Sequence, residues 1–139
     1  MPGTSADVVR SQFAAFADGG LDAVARHWHP DIEWRAVEGA ADDVGVMAGE
    51  QALRSYYADW SATLEDLRAE VDAVLLEDGE RVAVAVRNAG RGRTSGVPVQ
   101  GRYYVACLVR DGRIVAGREY ATADEAVAGA RSLQWGANP

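Results

Sequence analysis

The residues best suited to chemistry lie near the end of the chain, in a segment that reads VQGRYYVACLVRDGRIVAGREYA over Val99–Ala121. Two β-rich stretches in this segment flank Asp111-Gly112, a pair typical of a two-residue type I′ hairpin turn. Counting outward from that turn pairs Tyr104 with Glu119 and places Arg102 diagonally beside them. A carboxylate, a phenol and a guanidinium would then share one side of the hairpin, among small and apolar residues.

This cluster supports two interpretations. In the first, a dry pocket raises the pKa of Glu119 so that its carboxylate acts as a general base or acid. Tyr104 would then donate a hydrogen bond to a developing enolate oxygen, and Arg102 would orient an acidic substrate. In the second, Arg102 and Glu119 form a structural ion pair, which would keep the carboxylate ionised and weaken it as a base.

The opposite side of the hairpin is strongly apolar. The same count predicts that it faces away from the pocket, and such a patch normally marks an interface. We therefore predict a homodimer formed through this side, which carries Tyr103, Val105, Cys107, Val109, Ile114, Ala116, Arg118 and Tyr120.

The elements that must position these residues follow an order of helices first and antiparallel strands second. Helical spacing and turn signals predict helices at 4–18, 21–28 and 50–64, strands at 31–37, 68–76, 81–88, 97–110 and 113–120, and a short last helix after a capping box at 122–125. This order is typical of an α+β fold. We predict one domain over 1–139, a cone in which a curved antiparallel sheet wraps around three N-terminal helices and leaves a pocket.

Large apolar side chains on these elements would form the pocket walls. Two lie on the first helix, two on the third helix, one on the first strand and one in the loop 38–48 that would cross the mouth. We predict that these six residues bind the substrate, with core packing as the alternative: Phe13, Phe16, Tyr57, Trp60, Trp34 and Met47.

Composition excludes several functions. A net charge of -7 and an isoelectric point near 4.7 argue against a nucleic-acid partner. The chain has no lysine, so Schiff-base chemistry is excluded, and its one cysteine, Cys107, cannot form an intramolecular disulfide. Its two histidines, His27 and His29, lack a matched acid pair, so we expect no metal site. No apolar run predicts a membrane span or a signal peptide, and we expect a cytoplasmic protein.

Particular local sequences resemble the SnoaL-like polyketide cyclase family, within the ketosteroid-isomerase and nuclear-transport-factor-two superfamily. They span nearly the whole chain and are FAAFADGGLDAV at Phe13–Val24, HPDIEW at His29–Trp34, GEQALRSYYADW at Gly49–Trp60, SGVPVQGR at Ser95–Arg102 and DGRIVAGREY at Asp111–Tyr120. The resemblance implies the cone fold, dimers through the outer sheet, and a single pocket carboxylate that acts as acid and base. Glu119 matches that carboxylate.

Residues that related families use for their reactions are missing from this chain, and their absence narrows the range of possible reactions. Ketosteroid isomerases would have an oxyanion-hole tyrosine near Phe13, a general base near Ala36 and an oxyanion acid near Arg102, and none of the three is present here. Epoxide hydrolases of this superfamily use a second acid, which is missing from the predicted strand 81–88.

Three hypotheses remain open, because a fold does not determine a reaction. The first is a cofactor-independent cyclase, isomerase or lyase that acts on a small hydrophobic or polyketide-like molecule through Glu119. The second is a non-catalytic small-molecule binding or interaction module. The third is an epoxide hydrolase in which Glu119 activates water.

Overall fold

The computed structural model describes residues 3–136 and has the predicted α+β composition. Its helices are α1 (Ser5–Ala25), α2 (Glu50–Thr63) and α3 (Ala123–Ser132). Its strands are β1 (Trp28–Arg35), β2 (Met47–Ala48), β3 (Leu64–Asp78), β4 (Arg81–Gly92), β5 (Pro98–Arg110) and β6 (Arg113–Tyr120). No helix in this part of the chain is long and apolar enough to cross a membrane.

Helix α1 contains both helices predicted before the first strand. Thr4 caps its start, because the Thr4 side chain accepts a hydrogen bond from the Asp7 amide and the Asp7 carboxylate accepts one from the Thr4 amide. Gly20 then adopts φ 65°, a left-handed conformation that suits glycine and kinks the helix. The kink keeps apolar residues of both halves, including Phe13 and Val24, in the core.

The six strands form one sheet in the order β2-β1-β6-β5-β4-β3. β1 runs parallel to β6, so the sheet is mixed, whereas the sequence predicted an antiparallel one. Three register shifts interrupt the long β3–β4 pairing. Such irregularities bend a sheet, and this sheet curves around α1, whose Phe13 lies in one core cluster with Val84 and Val105.

The outer face of the sheet is covered by α3. Ala126 and Ala130 of the helix form a buried cluster with Ala83 and Ala106 of the sheet. Thr122 caps this helix by accepting a hydrogen bond of 3.2 Å from the Glu125 amide, as the capping box predicted.

The β5–β6 hairpin has the predicted turn but not the predicted register. Asp111 and Gly112 have φ values of 52° and 76°, and Arg110 pairs with Arg113 as expected. Val109 then pairs with Ile114 but Leu108 pairs with Ala116, so one extra residue, Val115, forms a bulge in β6.

One extra residue moves every later side chain of β6 to the other face relative to β5. Glu119 therefore pairs with Val105, and Tyr104 pairs with Tyr120. The prediction that Tyr104 and Arg102 share a face with Glu119 is wrong.

The predicted outward apolar patch is also corrected, because the face of β5 that carries it lies on the inner side of the sheet. Val105, Cys107, Val109 and Ile114 face inward and are at most 4% exposed, so they form the core rather than an outer patch. The residue argument for a homodimer is therefore removed, and the homodimer stays a prediction that rests on the family resemblance alone.

Candidate active site

A cavity of about 340 Å³ lies inside the cone, between the helices and the inner face of the sheet. It is lined mainly by apolar and aromatic side chains, with two carboxylates and one amide among them. The lining residues are Phe16, Val37, Ala41, Asp42, Tyr56, Tyr57, Trp60, Leu67, Ala69, Asn88, Tyr103 and Glu119. A cavity of this size and character is typical of a small-molecule site.

Glu119 is the most deeply buried charged group in the described part of the chain, at 9% exposure. The bulge at Val115 turns its side chain inward from β6. The indole Nε1 of Trp34 donates a hydrogen bond of 2.8 Å to Glu119 Oε2. This contact fixes one carboxylate oxygen, and the residue lines the cavity.

Trp34 reaches Glu119 because β1 lies beside β6 and places Trp34 opposite Gly117. A side chain at position 117 would overlap the six-membered ring of Trp34. Glycine there lets the indole lie directly against β6, two residues before Glu119. Gly117 is thus a positioning residue for the hydrogen bond.

Burial raises the pKa of Glu119 to about 7. The hydrogen bond from Trp34 lowers the pKa, and the negative charge of Asp42 raises it, but loss of hydration is the largest cause. A carboxyl group with a pKa near neutrality can both accept and donate a proton at working pH.

Arg102 does not pair with Glu119, so the structural ion pair considered from the sequence is wrong. Its guanidinium lies on the outer face, 3.0 Å from the Asp72 carboxylate and above the Tyr104 ring. Tyr104 contributes to the outer cluster beneath α3. Neither Arg102 nor Tyr104 lines the cavity.

Three other tyrosines, and not Tyr104, line the cavity together with Glu119. Tyr56 donates a hydrogen bond of 2.7 Å to Asp42 Oδ2, while the buried Tyr57 hydroxyl has no partner among the described residues. Burial and the charge of Glu119 raise the pKa of Tyr56, Tyr57 and Tyr103 above the ordinary value. These phenols therefore stay protonated and can act as hydrogen-bond donors.

The loop before β2 brings a second carboxylate to the cavity. Asp43 accepts hydrogen bonds from Arg35 and from the amides of Gly39 and Gly45, and these bonds hold its pKa well below the usual range. They fix the loop so that Asp42 lines the cavity. From the sequence, no role was expected for these two aspartates, and an aspartate two residues before Gly45 indicates only a turn.

The six residues predicted to bind substrate separate into three groups. Phe16, Tyr57 and Trp60 line the cavity. Trp34 does not line it but donates a hydrogen bond to the lining residue Glu119. Phe13 and Met47 lie in the core cluster and do not line the cavity. That these residues bind a substrate stays a prediction. The sequence missed the lining residues Val37, Ala41, Asp42, Tyr56, Leu67, Ala69, Asn88 and Tyr103.

A metal centre has no basis in residues 3–136, where no group of three or more His, Cys, Asp or Glu side chains could hold an ion.

The sequence over residues 9–117 matches the SnoaL-like domain family, and the chain belongs to that family. This match confirms the resemblance found in the sequence motifs. A comparison with curated proteins found no match.

Solved structures confirm the cone-shaped fold of the nuclear-transport-factor-two type. A protein of that type from Burkholderia pseudomallei, of unknown function, is 19% identical, with 91% of this chain and 96% of that chain covered and a TM-score of 0.71. A putative SnoaL-like polyketide cyclase from Jannaschia is 19% identical, with 94% and 92% covered and a TM-score of 0.69. AclR, a putative hydroxylase from Streptomyces galilaeus, is 17% identical, with 94% and 97% covered and a TM-score of 0.68.

Proposed function

We propose that this protein is a cofactor-independent enzyme that moves a proton on a small, largely apolar substrate, with Glu119 as its acid-base group. The observation that carries this proposal is a carboxylate buried in a cavity, with a pKa near 7 and with no cation among the residues that line the cavity. Carboxylates in dry pockets are well suited to general acid-base catalysis at neutral pH.

The reaction class follows from the groups in the cavity. Glu119 takes a proton from a carbon next to a carbonyl, and the electron pair of the broken C–H bond moves onto the carbonyl oxygen to form an enolate. A tyrosine hydroxyl donates a hydrogen bond to this oxygen, and Tyr57 and Tyr103 are the candidates. When Glu119 returns the proton to a second carbon of a conjugated enolate, the product is an isomer. When the enolate carbon instead bonds to another carbonyl carbon, a ring closes and Glu119 returns the proton to the alkoxide oxygen.

Membership of the SnoaL-like family and the similarity to a putative polyketide cyclase support a polyketide-like substrate for this reaction. The apolar walls of the cavity also suit such a molecule, because burial of its apolar surface favours binding.

Deuterium exchange tests this proposal without knowledge of the product. Small ketones and polyketide-like diketones are incubated with enzyme in D₂O, and loss of the α-proton is followed by NMR. We expect Glu119→Gln to slow enzyme-dependent exchange by about 10²-fold or more, because general-base catalysis is typically of that size. Glu70→Gln, an exposed carboxylate paired with Arg87, is the matched control and should exchange at the wild-type rate.

Two results would contradict the proposal. An unchanged rate of deuterium exchange in Glu119→Gln would show that Glu119 takes no part in the reaction. Tight ligand binding by the wild type without exchange of any bound carbon acid would favour the non-catalytic binding module.

Asp42 favours a second candidate, the hydrolysis of an epoxide. This reaction needs one group to take a proton from water as the water oxygen bonds to an epoxide carbon, and another to protonate the oxygen released when the ring C–O bond breaks. Asp42 supplies the second acid, which the sequence of the β4 strand lacks. Conversion of an epoxide in ¹⁸O-water to a diol carrying one labelled oxygen, lost in Asp42→Asn, would favour this candidate over carbon-acid chemistry.

A further inference from the structure

The charged side chains that line the cavity, among the described residues, are all acidic. Two carboxylates, Glu119 and Asp42, line it, and none of its described lining residues is Arg or His. A buried carboxylate without a countercharge is unfavourable, since loss of hydration is not repaid by an ion pair. The cavity therefore offers a site where a positive charge would be stabilised.

Two arginines beside the cavity elements pair with carboxylates that do not line the cavity. Arg35 pairs with Asp43 and Glu38 at 3.0 Å each, on the loop side. Arg118, the residue before Glu119, pairs with Glu38 at 3.2 Å on the outer face of the sheet. Among the described residues, no positive charge is a cause that sets the pKa of Glu119.

The walls of the cavity present aromatic surface from several directions. Five rings line it: Phe16, Tyr56, Tyr57, Trp60 and Tyr103. The Tyr57 ring lies 5.1 Å from Phe16 at 65° and 5.1 Å from Tyr56 at 68°, so these rings form a corner rather than a flat stack. Aromatic faces attract organic cations, and a desolvated cage of such rings is a common way to bind an alkylated ammonium group.

We propose that the ligand of this cavity carries a protonated or alkylated amine on an apolar body, with the amine held by the aromatic corner and attracted by the charges of the two carboxylates, without a direct ion pair to Glu119. This inference deepens the proposed function by naming the charge of its substrate, and it rests on the cavity being the substrate site. The net charge of -7 acts in the same direction, because it attracts cations to the protein at long range.

Cation binding should compete with protonation of Glu119. The groups that face this carboxylate are Asp42 from the loop, Tyr56 and Tyr57 from α2, and Tyr103 and Cys107 from β5, along with the uncharged Trp34 from β1. The phenols and the thiol remain neutral at physiological pH, since their pKa values are raised. Glu119 is thus the group whose titration near neutrality would change the affinity for a cation.

Choline and 3,3-dimethylbutan-1-ol provide the test, because they have almost the same shape but only choline is charged. Calorimetric titration of the wild type at about pH 8 should give a choline affinity at least about tenfold higher than that of the alcohol. Choline affinity should fall as the pH is lowered to about 5.5, while alcohol affinity should stay constant. In Glu119→Gln the affinity for choline should fall about tenfold, while the affinity for the alcohol should stay the same. Glu70→Gln should bind both compounds as the wild type does.

Equal or stronger binding of the alcohol would overturn the inference, and so would the absence of choline binding at any soluble concentration. A melting curve for each variant shows whether a lost affinity reflects lost folding. This binding test is independent of turnover. Choline binding with unchanged deuterium exchange in Glu119→Gln would contradict the proposed reaction only, whereas normal exchange without choline selectivity would contradict the cationic ligand only.

Discussion

Trp34 and Glu119 lie 85 residues apart in the sequence and are joined by a buried hydrogen bond of 2.8 Å from the indole Nε1 to the carboxylate Oε2. The bond depends on three separate features: the parallel pairing of β1 with β6, the bare backbone of Gly117 and the bulge at Val115. It is the only side-chain hydrogen bond among the causes that set the pKa of Glu119.

Removal of this hydrogen bond should raise the pKa of Glu119 further. In Trp34→Phe the ionised carboxylate loses a donor, so we expect its pKa to rise by about one pH unit, as measured by ¹³C NMR of labelled glutamate. Trp28→Phe is the matched control, because the Trp28 indole is equally buried and donates instead to Gln12 Oε1 at 2.9 Å. An equal effect of both substitutions, or a fall in the pKa in Trp34→Phe, would contradict this assignment.

The close contact between the Trp34 ring and Gly117 can be tested by a substitution at position 117 of β6. Gly117→Ala places a methyl group where the indole ring lies, so we expect the free energy of unfolding to fall by about 1–3 kcal/mol in urea denaturation. The double variant Gly117→Ala/Trp34→Phe should lose less than the sum of the single variants, because the smaller ring relieves the overlap. Additive losses in the free energy of unfolding would show that the side chains at positions 34 and 117 do not overlap.

The stability of the protein should depend on pH through Glu119. Its folded-state pKa of about 7 lies above the ordinary value of 4.5, so the unfolded chain loses this proton first as the pH rises. The stability contributed by Glu119 is complete below about pH 4.5 and is lost as the pH rises through about 7. The wild type should therefore lose on the order of 3 kcal/mol across this window relative to Glu119→Gln. Urea denaturation of both proteins at several pH values measures the difference, and parallel pH profiles would contradict the prediction.

Two adjacent tyrosines distinguish the inner from the outer face of β5. Tyr103 lines the cavity, and Tyr104 lies in the cluster under α3. If a phenol stabilises the enolate, Tyr103→Phe should slow deuterium exchange by about tenfold or more, whereas Tyr104→Phe should leave it unchanged. The opposite pattern would restore the register first expected from the hairpin turn.

The sequence was sufficient for most of the element order, the hairpin turn and the family, because capping residues, Asp-Gly pairs and hydrophobic spacing are local signals. It did not predict the two-residue strand β2, and it separated the two halves of α1. It did identify Glu119 as the carboxylate of interest. Its partners could not be predicted, since Val115 has no feature that marks a bulge, and one unpaired residue exchanges the faces of every later position in β6. The sequence also did not predict that Asp42 lines the cavity. The position of Asp42 depends on the hydrogen bonds that Arg35 donates to Asp43, and these form only in the folded chain.

The most direct test of this account is the titration of Glu119 itself in the wild-type protein. ¹³C NMR of glutamate labelled at the side-chain carboxyl, with the Glu119 signal assigned by its absence in Glu119→Gln, gives its midpoint. A midpoint near pH 7 is the predicted result, because the carboxylate is buried and lacks a countercharge in the described residues. A midpoint near the ordinary value of 4.5 would show a hydrated or ion-paired carboxylate and would contradict the proposed role of Glu119 as the acid-base group.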